Sequence, residues 1–213
     1  MKWGVLISGS GTNLQALIDA TQEPGFPAEI ALVISNRADA FGLQRAANAG
    51  IPTCVLPNKG FTSRELYDAE LVKLLTNAVV EWVALAGFMR IITGTLLEAF
   101  PNRILNIHPS LLPAFPGLHA QAQAFSAGVR ITGASVHFVD GGMDTGPLIA
   151  QGAVPVLPTD DESSLQKRIL RMEHRLYPQV MRWASEGKVA VRDGRAHLDL
   201  SGDQLPFWFD PTP

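Results

Sequence analysis

Asn106 and His108 stand two residues apart in the run Arg103-Ile104-Leu105-Asn106-Ile107-His108-Pro109. In a strand, side chains two apart share a face, so an amide and an imidazole project together while Ile107 turns into packing. An amide N–H and an imidazolium aimed at one point suit the stabilisation of an oxyanion, and imidazole changes charge near neutrality. Pro109 cannot continue a sheet interior. The pair therefore sits at a strand's carboxyl end, the edge at which open α/β sheets bind ligands. Either residue alone says less, because a histidine beside an apolar strand is more often structural. Asp144 is a candidate third member, since a carboxylate beside a histidine favours the imidazolium. It lies in the Gly-rich stretch Asp140-Gly141-Gly142-Met143-Asp144-Thr145-Gly146-Pro147, where its other use is as a turn residue.

The elements that must position these groups are legible as an alternation. Trp3-Gly4-Val5-Leu6-Ile7 reads as a buried strand. After it come Ser8-Gly9-Ser10-Gly11-Thr12-Asn13 and a helix with Leu14, Leu17 and Ile18 on one face. Glycines at a helix start allow close backbone approach and favour anions, so this turn is a candidate phosphate cradle. A tight turn with an N-cap is its other use. It is neither a dinucleotide fingerprint, with Leu14 where a third glycine should be, nor a Walker motif. A strand at 30–34, a helix at 41–48 with Gly50 at C′, a short strand at 53–56, a helix from Thr62-Ser63-Arg64-Glu65 to about 76, and a strand at 79–86 continue the pattern. It predicts an α/β fold: a doubly wound, mostly parallel sheet with a Rossmann-like N-terminal half.

Beyond Pro113 the pattern changes to an antiparallel C-terminal portion. A strand at 131–139 and a returning strand at 148–156 flank the Gly-rich stretch. Thr159-Asp160-Asp161-Glu162 has capping-box spacing. It opens a helix whose apolar stripe runs Leu165, Ile169, Met172, Leu176, Val180, Trp183, and Pro178 should kink or end that helix. Asp193-Gly194 between two short strand-like runs signals a hairpin. The Pro-rich tail from Asp203 reads as loosely ordered. Without repeat or linker, residues 1–213 read as a single domain. Its parts are a phosphate-binding half of about 1–100, a catalytic half of about 101–185, and a hairpin and tail at 186–213.

The chain has 213 residues, 46% hydrophobic and 17% charged, enough for a sizeable core. A net charge of −3 argues against a general nucleic-acid surface. Cys54 is the one cysteine, so no intrachain disulfide forms. It reads as a core residue with no basic neighbour to activate it. The first strand follows Met1 without a signal peptide, and no apolar run has membrane-span length. A cytoplasmic protein handling small molecules, without nucleic acid or membrane partners, as a monomer or weak homodimer, is the expectation. The five histidines show no metal-ligand spacing, so no metal is expected.

Asn106-Ile107-His108-Pro109-Ser110-Leu111-Leu112-Pro113 with Pro116-Gly117 resembles the signature of the 10-formyltetrahydrofolate-dependent formyltransferases, and the likeness runs from about residue 2 to about 177. Stretch 140–147 resembles that family's second motif, in which the matching Asp144 completes an Asn–His–Asp set. The resemblance implies transfer of a formyl group from 10-formyltetrahydrofolate, the cosubstrate, to the amine of glycinamide ribonucleotide. The products are formylglycinamide ribonucleotide and tetrahydrofolate, made in de novo purine biosynthesis by direct attack through a tetrahedral oxyanion. It places the ribonucleotide on Gly11, Thr12, Asn13 and Glu173, although a helix-face Glu is ordinarily solvated. It places the folate on Arg64, Met89, Arg90, Ile91, Ile92, Asn106 and the backbone of Asp140, Gly141, Gly142, Met143 and Asp144. Phe88-Met89-Arg90-Ile91 supplies the apolar wall that a flat pterin needs. Ala114-Phe115 and His119-Ala120-Gln121 depart from residues frequent in the family, which leaves the loop after Pro113 without an assigned role. Its turn suits a cis Leu112-Pro113 bond.

Three other activities share these features. An enzyme formylating initiator tRNA needs a nucleic-acid-binding region, and this acidic chain ends at Pro213. A formyltetrahydrofolate hydrolase uses the same three residues with water as acceptor, but carries a regulatory segment ahead of a strand that here starts by Trp3. A non-catalytic phosphosugar- or folate-binding module would not need Asn106, His108 and Asp144 together.

Overall fold

A computed structural model describes residues 1–200 and 205–212. The chain divides into two compact units, Met1–Asn106 and Ile107–Pro213.

In the first unit, β1 (Lys2–Ile7), β2 (Glu29–Ser35), β3 (Thr53–Val55), β4 (Trp82–Leu85) and the start of β5 (Ile104–His108) alternate with helices. The helices are α1 (Thr12–Thr21), α2 (Phe41–Asn48), α3 (Arg64–Asn77) and α4 (Gly94–Ala99). All pairings are parallel, in the order β3-β2-β1-β4-β5. The order reverses beside β1, the doubly wound arrangement that opens a crevice at the carboxyl ends of β1 and β4. Strands covered on both faces read as continuous apolar runs. Val5, Leu6, Ile7, Val33, Ile34, Val83 and Ala84 are accordingly fully buried. Trp3 and Trp82 are register partners whose rings stack with centroids 5.3 Å apart. The α1 face of Leu14, Leu17 and Ile18 is buried as its spacing predicts. The cap of α3 is Ser63, which accepts from the Leu66 N–H, one residue later than the sequence pattern suggests. Cys54 is only partly buried, because β3 pairs on one side alone within this unit.

The second unit holds the end of β5 and α5 (Ala120–Ser126), then β6 (Ile131–Phe138), β7 (Leu148–Pro155), α6 (Glu162–Ser185), β8 (Val189–Arg192), β9 (Arg195–Leu198) and β10 (Phe207–Phe209). β6 and β7 are antiparallel neighbours, and β8 and β9 form the hairpin around Asp193-Gly194. α6 packs its whole stripe from Leu165 to Trp183 inward. Pro178 does not end it. The proline removes one backbone donor, but Leu176, Tyr177, Val180, Met181 and Trp183 are buried on either side, and their burial holds the helix through the break. The capping box is Asp161 with Ser164 and not Thr159 with Glu162. Asp160 is drawn away to pair with Arg168, both side chains buried, which moves the helix start.

The tail differs from expectation as well. Asp203 itself lies outside the described residues, but residues 205–212 are docked. Phe207, Trp208 and Phe209 pair parallel with Gln151, Gly152 and Ala153. Trp208 stacks on Trp183 at 5.6 Å, and Arg175 bridges Asp210 at 3.0 Å. Among the described residues no helix is long and apolar enough to cross a membrane.

Candidate active site

β5 presents Asn106 half-buried between the buried Leu105 and Ile107, and ends on His108, itself 5% exposed. Both lie in one strand two residues apart, so Asn106 and His108 share a face. His108 Nε2 lies 2.8 Å from the Phe115 carbonyl oxygen, so that nitrogen carries a proton and donates. Nδ1 lies 3.4 Å from Asp144 Oδ2. An acceptor oxygen thus faces each ring nitrogen.

Asp144 sits between two imidazoles. His137, on β6, approaches its Oδ1 with Nε2 at 3.7 Å, while His137 Nδ1 lies 2.7 Å from the Phe138 carbonyl. The Gly117 N–H donates to Asp144 Oδ2 at 2.8 Å. Burial pushes the Asp144 carboxyl up. The contact with His137, the Gly117 N–H and the charges of His108 and His137 outweigh it and hold the group below the usual carboxylate range. The two nitrogen–oxygen separations, 3.4 and 3.7 Å, exceed ordinary hydrogen-bond lengths. The backbone at Asp144 is left-handed, φ 56°, a conformation that costs an L-residue roughly 1–2 kcal/mol.

The loop after β5 acquires a role here. Ser110 Oγ donates to the Ala114 carbonyl. Buried Ser135 donates to the Ser110 carbonyl and accepts from the Leu112 N–H and from Gln151 Nε2. This frame, which includes a cis Leu112–Pro113 bond, fixes the Phe115 carbonyl on His108 and the Gly117 amide on Asp144. Both contacts are main-chain, so the departures at Ala114-Phe115 leave them intact. His137, against Asp144, and Ser135, in the frame beneath the loop, carry no assignment from the sequence. Polar residues inside the otherwise apolar run Ala134-Ser135-Val136-His137-Phe138 were the available signal.

In the first unit, Gly11 caps α1 with φ 69° and no side-chain bond. A Cβ there would stand 2.5 Å from the Gly42 Cα, so contact between α1 and α2 already requires this glycine. Ser8 ties the strand ends together, donating to Asn36 Oδ1 at 2.6 Å and accepting the Met89 N–H at 2.9 Å. Arg90 lies over the Tyr67 ring at 4.4 Å. Asp68 accepts from the Thr93 N–H and Oγ1 at 2.6 and 2.8 Å, fixing the end of segment 89–92. Met89 and Ile91 are 70% and 51% exposed, Ile92 is buried, and Arg64 opens α3 exposed. In the second unit Glu173 is 5% exposed and therefore not a solvated helix-face carboxylate. Asp140, Gly141, Gly142 and Met143 form the loop leading to Asp144. Among the described residues no cluster of three or more His, Cys, Asp or Glu is placed to hold a metal ion.

A strand-end Asn-x-His and a carboxylate flanked by imidazoles, following a doubly wound unit, form an arrangement whose chemistry suits group transfer through an oxyanion. A model of the formyl transferase family matches residues 1–181, and the chain belongs to that family. It is 46% identical to phosphoribosylglycinamide formyltransferase of Escherichia coli over 202 residues, covering 95% of this chain and 94% of that one. It is 51% identical to the trifunctional purine biosynthetic protein adenosine-3 of Drosophila melanogaster over 189 residues, which are 88% of this chain but span only 14% of the fly protein. Among solved structures, glycinamide ribonucleotide transformylase 1 from Symbiobacterium toebii superposes with a TM-score of 0.91 at 51% identity, covering 93% of each chain.

Proposed function

We propose that this protein transfers the formyl group of 10-formyltetrahydrofolate to the amine of glycinamide ribonucleotide, giving formylglycinamide ribonucleotide and tetrahydrofolate in de novo purine biosynthesis. One observation carries the reading. His108 and Asp144 stand 3.4 Å apart, with Asn106 on the same strand face as His108, in a formyl transferase chain. The full-length likeness to the E. coli enzyme supports glycinamide ribonucleotide as acceptor. Residues 1–213 act, in this reading, as one formyltransferase domain.

Bound 10-formyltetrahydrofolate supplies the formyl carbon that the amine attacks. Asn106 donates its amide N–H to the oxygen on which negative charge grows, and the His108 imidazolium adds positive charge to the same oxygen. Asp144 stabilises that imidazolium and takes part in moving the amine proton to the folate nitrogen, whose bond to the formyl carbon breaks as the intermediate collapses to formylglycinamide ribonucleotide and tetrahydrofolate. No covalent bond to the protein is required. Gly11, Thr12 and Asn13 receive the ribonucleotide phosphate at the α1 amino end, and Glu173 contacts the phosphoribosyl group. Arg64, Met89, Arg90, Ile91, Ile92, Asn106 and the backbone of residues 140–144 receive the folate. The exposed Met89 and Ile91 side chains suit a flat ring system that needs apolar cover.

The test is release of tetrahydrofolate from 10-formyltetrahydrofolate with and without glycinamide ribonucleotide. Release that depends on the ribonucleotide is expected. Release without it would make the protein a hydrolase, and binding of both ligands without release would make it a binding module.

A further inference from the structure

The loop that carries Asp144 is closed by side chains that the proposed reaction does not use. Thr145 Oγ1 donates to Asp140 Oδ1 at 2.8 Å, and the Gly142 N–H donates to the same oxygen at 3.0 Å. The loop is drawn so tight that a Cβ on Gly142 would collide with Thr145 Oγ1, and one on Gly146 would collide with the Phe138 carbonyl oxygen. Its two ends are joined where the Phe138 N–H donates to the Pro147 carbonyl at 2.9 Å. Inside this closed loop Asp144 keeps its left-handed backbone, and its carboxylate reaches His108, His137 and the Gly117 N–H. A strained conformation persists only where its surroundings determine it. The Thr145 bond crosses the base of the segment that includes Asp144.

We propose that Thr145 is a positioning residue: its hydroxyl, clasped to Asp140, holds Asp144 at the distance from His108 that proton handling in formyl transfer requires. The proposal rests on the formyl-transfer reading, and it assigns the hydroxyl a task that neither its exposure nor a turn preference explains. A valine at 145 keeps the shape and removes the donor; a serine keeps the donor. An asparagine at 140 keeps an oxygen acceptor; an alanine removes it.

The experiment measures kcat and both KM values for the wild type, T145V, T145S, D140A and D140N. The histidine ring-proton resonances of the full-length protein are recorded in parallel. In T145V and D140A kcat is expected to fall about tenfold, the scale of one lost hydrogen bond. The KM for glycinamide ribonucleotide should stay within about twofold, and the His108 and His137 resonances should move. T145S should recover kcat and the wild-type resonances, and D140N, which keeps the acceptor, should recover the wild-type resonances. Equal losses in T145S and T145V, or unmoved resonances in both T145V and D140A, would overturn the clasp. If the wild type shows no ribonucleotide-dependent turnover, the formyl-transfer reading fails and the proposal with it. The resonances then report whether the clasp holds Asp144 at all, so the two failures are told apart.

Discussion

Two glycine-rich loops follow buried strands in this chain, residues 8–13 after β1 and residues 140–147 after β6, and they use glycine differently. In the first, Gly11 is fixed by contact between two helices and no side chain is titratable. Its polar contribution is a framework: Ser8 binds Asn36 and Met89, and Arg45 donates to the Ser10 carbonyl. In the second, Gly142 and Gly146 let the chain fold back on itself tightly enough to hold a carboxylate between two imidazoles. Glycine content alone therefore announces close approach. What approaches, backbone or charge, decides whether the loop can do chemistry.

The sharpest break in that comparison is at Asp144. D144N keeps the shape and removes the charge, and kcat is expected to fall about 10²–10⁴-fold with an unchanged far-ultraviolet spectrum. No substitution of similar size in residues 8–13 should do the same, so a T12V loss of equal depth in kcat would erase the distinction.

The next effect is on stability. G11A meets the Gly42 backbone at a positive φ, and G146A meets the Phe138 carbonyl. Each is expected to cost about 1–3 kcal/mol in urea denaturation, G11A through strained backbone and G146A through steric overlap. G146A should also lower kcat because its strain falls on the Asp144 loop. In G11A, kcat measured on folded protein should hold.

Smaller again is a pair that probes ligand approach. A Cβ on Gly9 or Gly141 meets nothing within 4 Å, so G9A and G141A should melt within a few degrees of the wild type. Any rise in KM then reports backbone approach by the ligand. G141A is expected to raise the KM for folate and G9A that for the ribonucleotide. The opposite assignment would exchange the roles of the two loops.

The smallest effect is acid dependence. Asp144 is held below the ordinary carboxylate range when folded, so its charge stabilises the fold above the unfolded value of about 3.9. That contribution is lost as pH falls through the lowered folded value. Chemical denaturation at pH 5 and at about pH 3 should show the wild type losing more stability than D144N. A gap between the two that stays constant would show that the carboxylate gains nothing from its neighbours.

Much of this was legible in the chain, for identifiable reasons. Asn106 and His108 could be placed because strand periodicity is two and Pro109 marks the end. The α1 face and the Asp193-Gly194 hairpin follow equally local rules. Thr159 failed as a cap because Asp160 had a better partner in Arg168, eight residues along a helix not yet formed in a linear reading. α4 and α5 escaped because six or seven residues are too few to show a period. The nearness of His137 to Asp144 depends on how the β6–β7 loop folds back, which no spacing rule encodes. Asp144 itself was separated from an ordinary turn residue only by the resemblance of its motif.

The tail strand has a kinetic consequence. β10 joins β7 through pairs such as Phe207 with Gln151, a closure over a long stretch of chain that α6 and the β8–β9 hairpin fill. Closing so long a stretch costs chain entropy before the pairing repays it. Until the pairs form, the Gln151–Ala153 stretch of β7 offers its unused amides and carbonyls on that side to any other chain in the solution. Docking of β10 thus replaces part of this edge with a strand of only three residues, and refolding yield should depend on protein concentration most strongly while that stretch is still open.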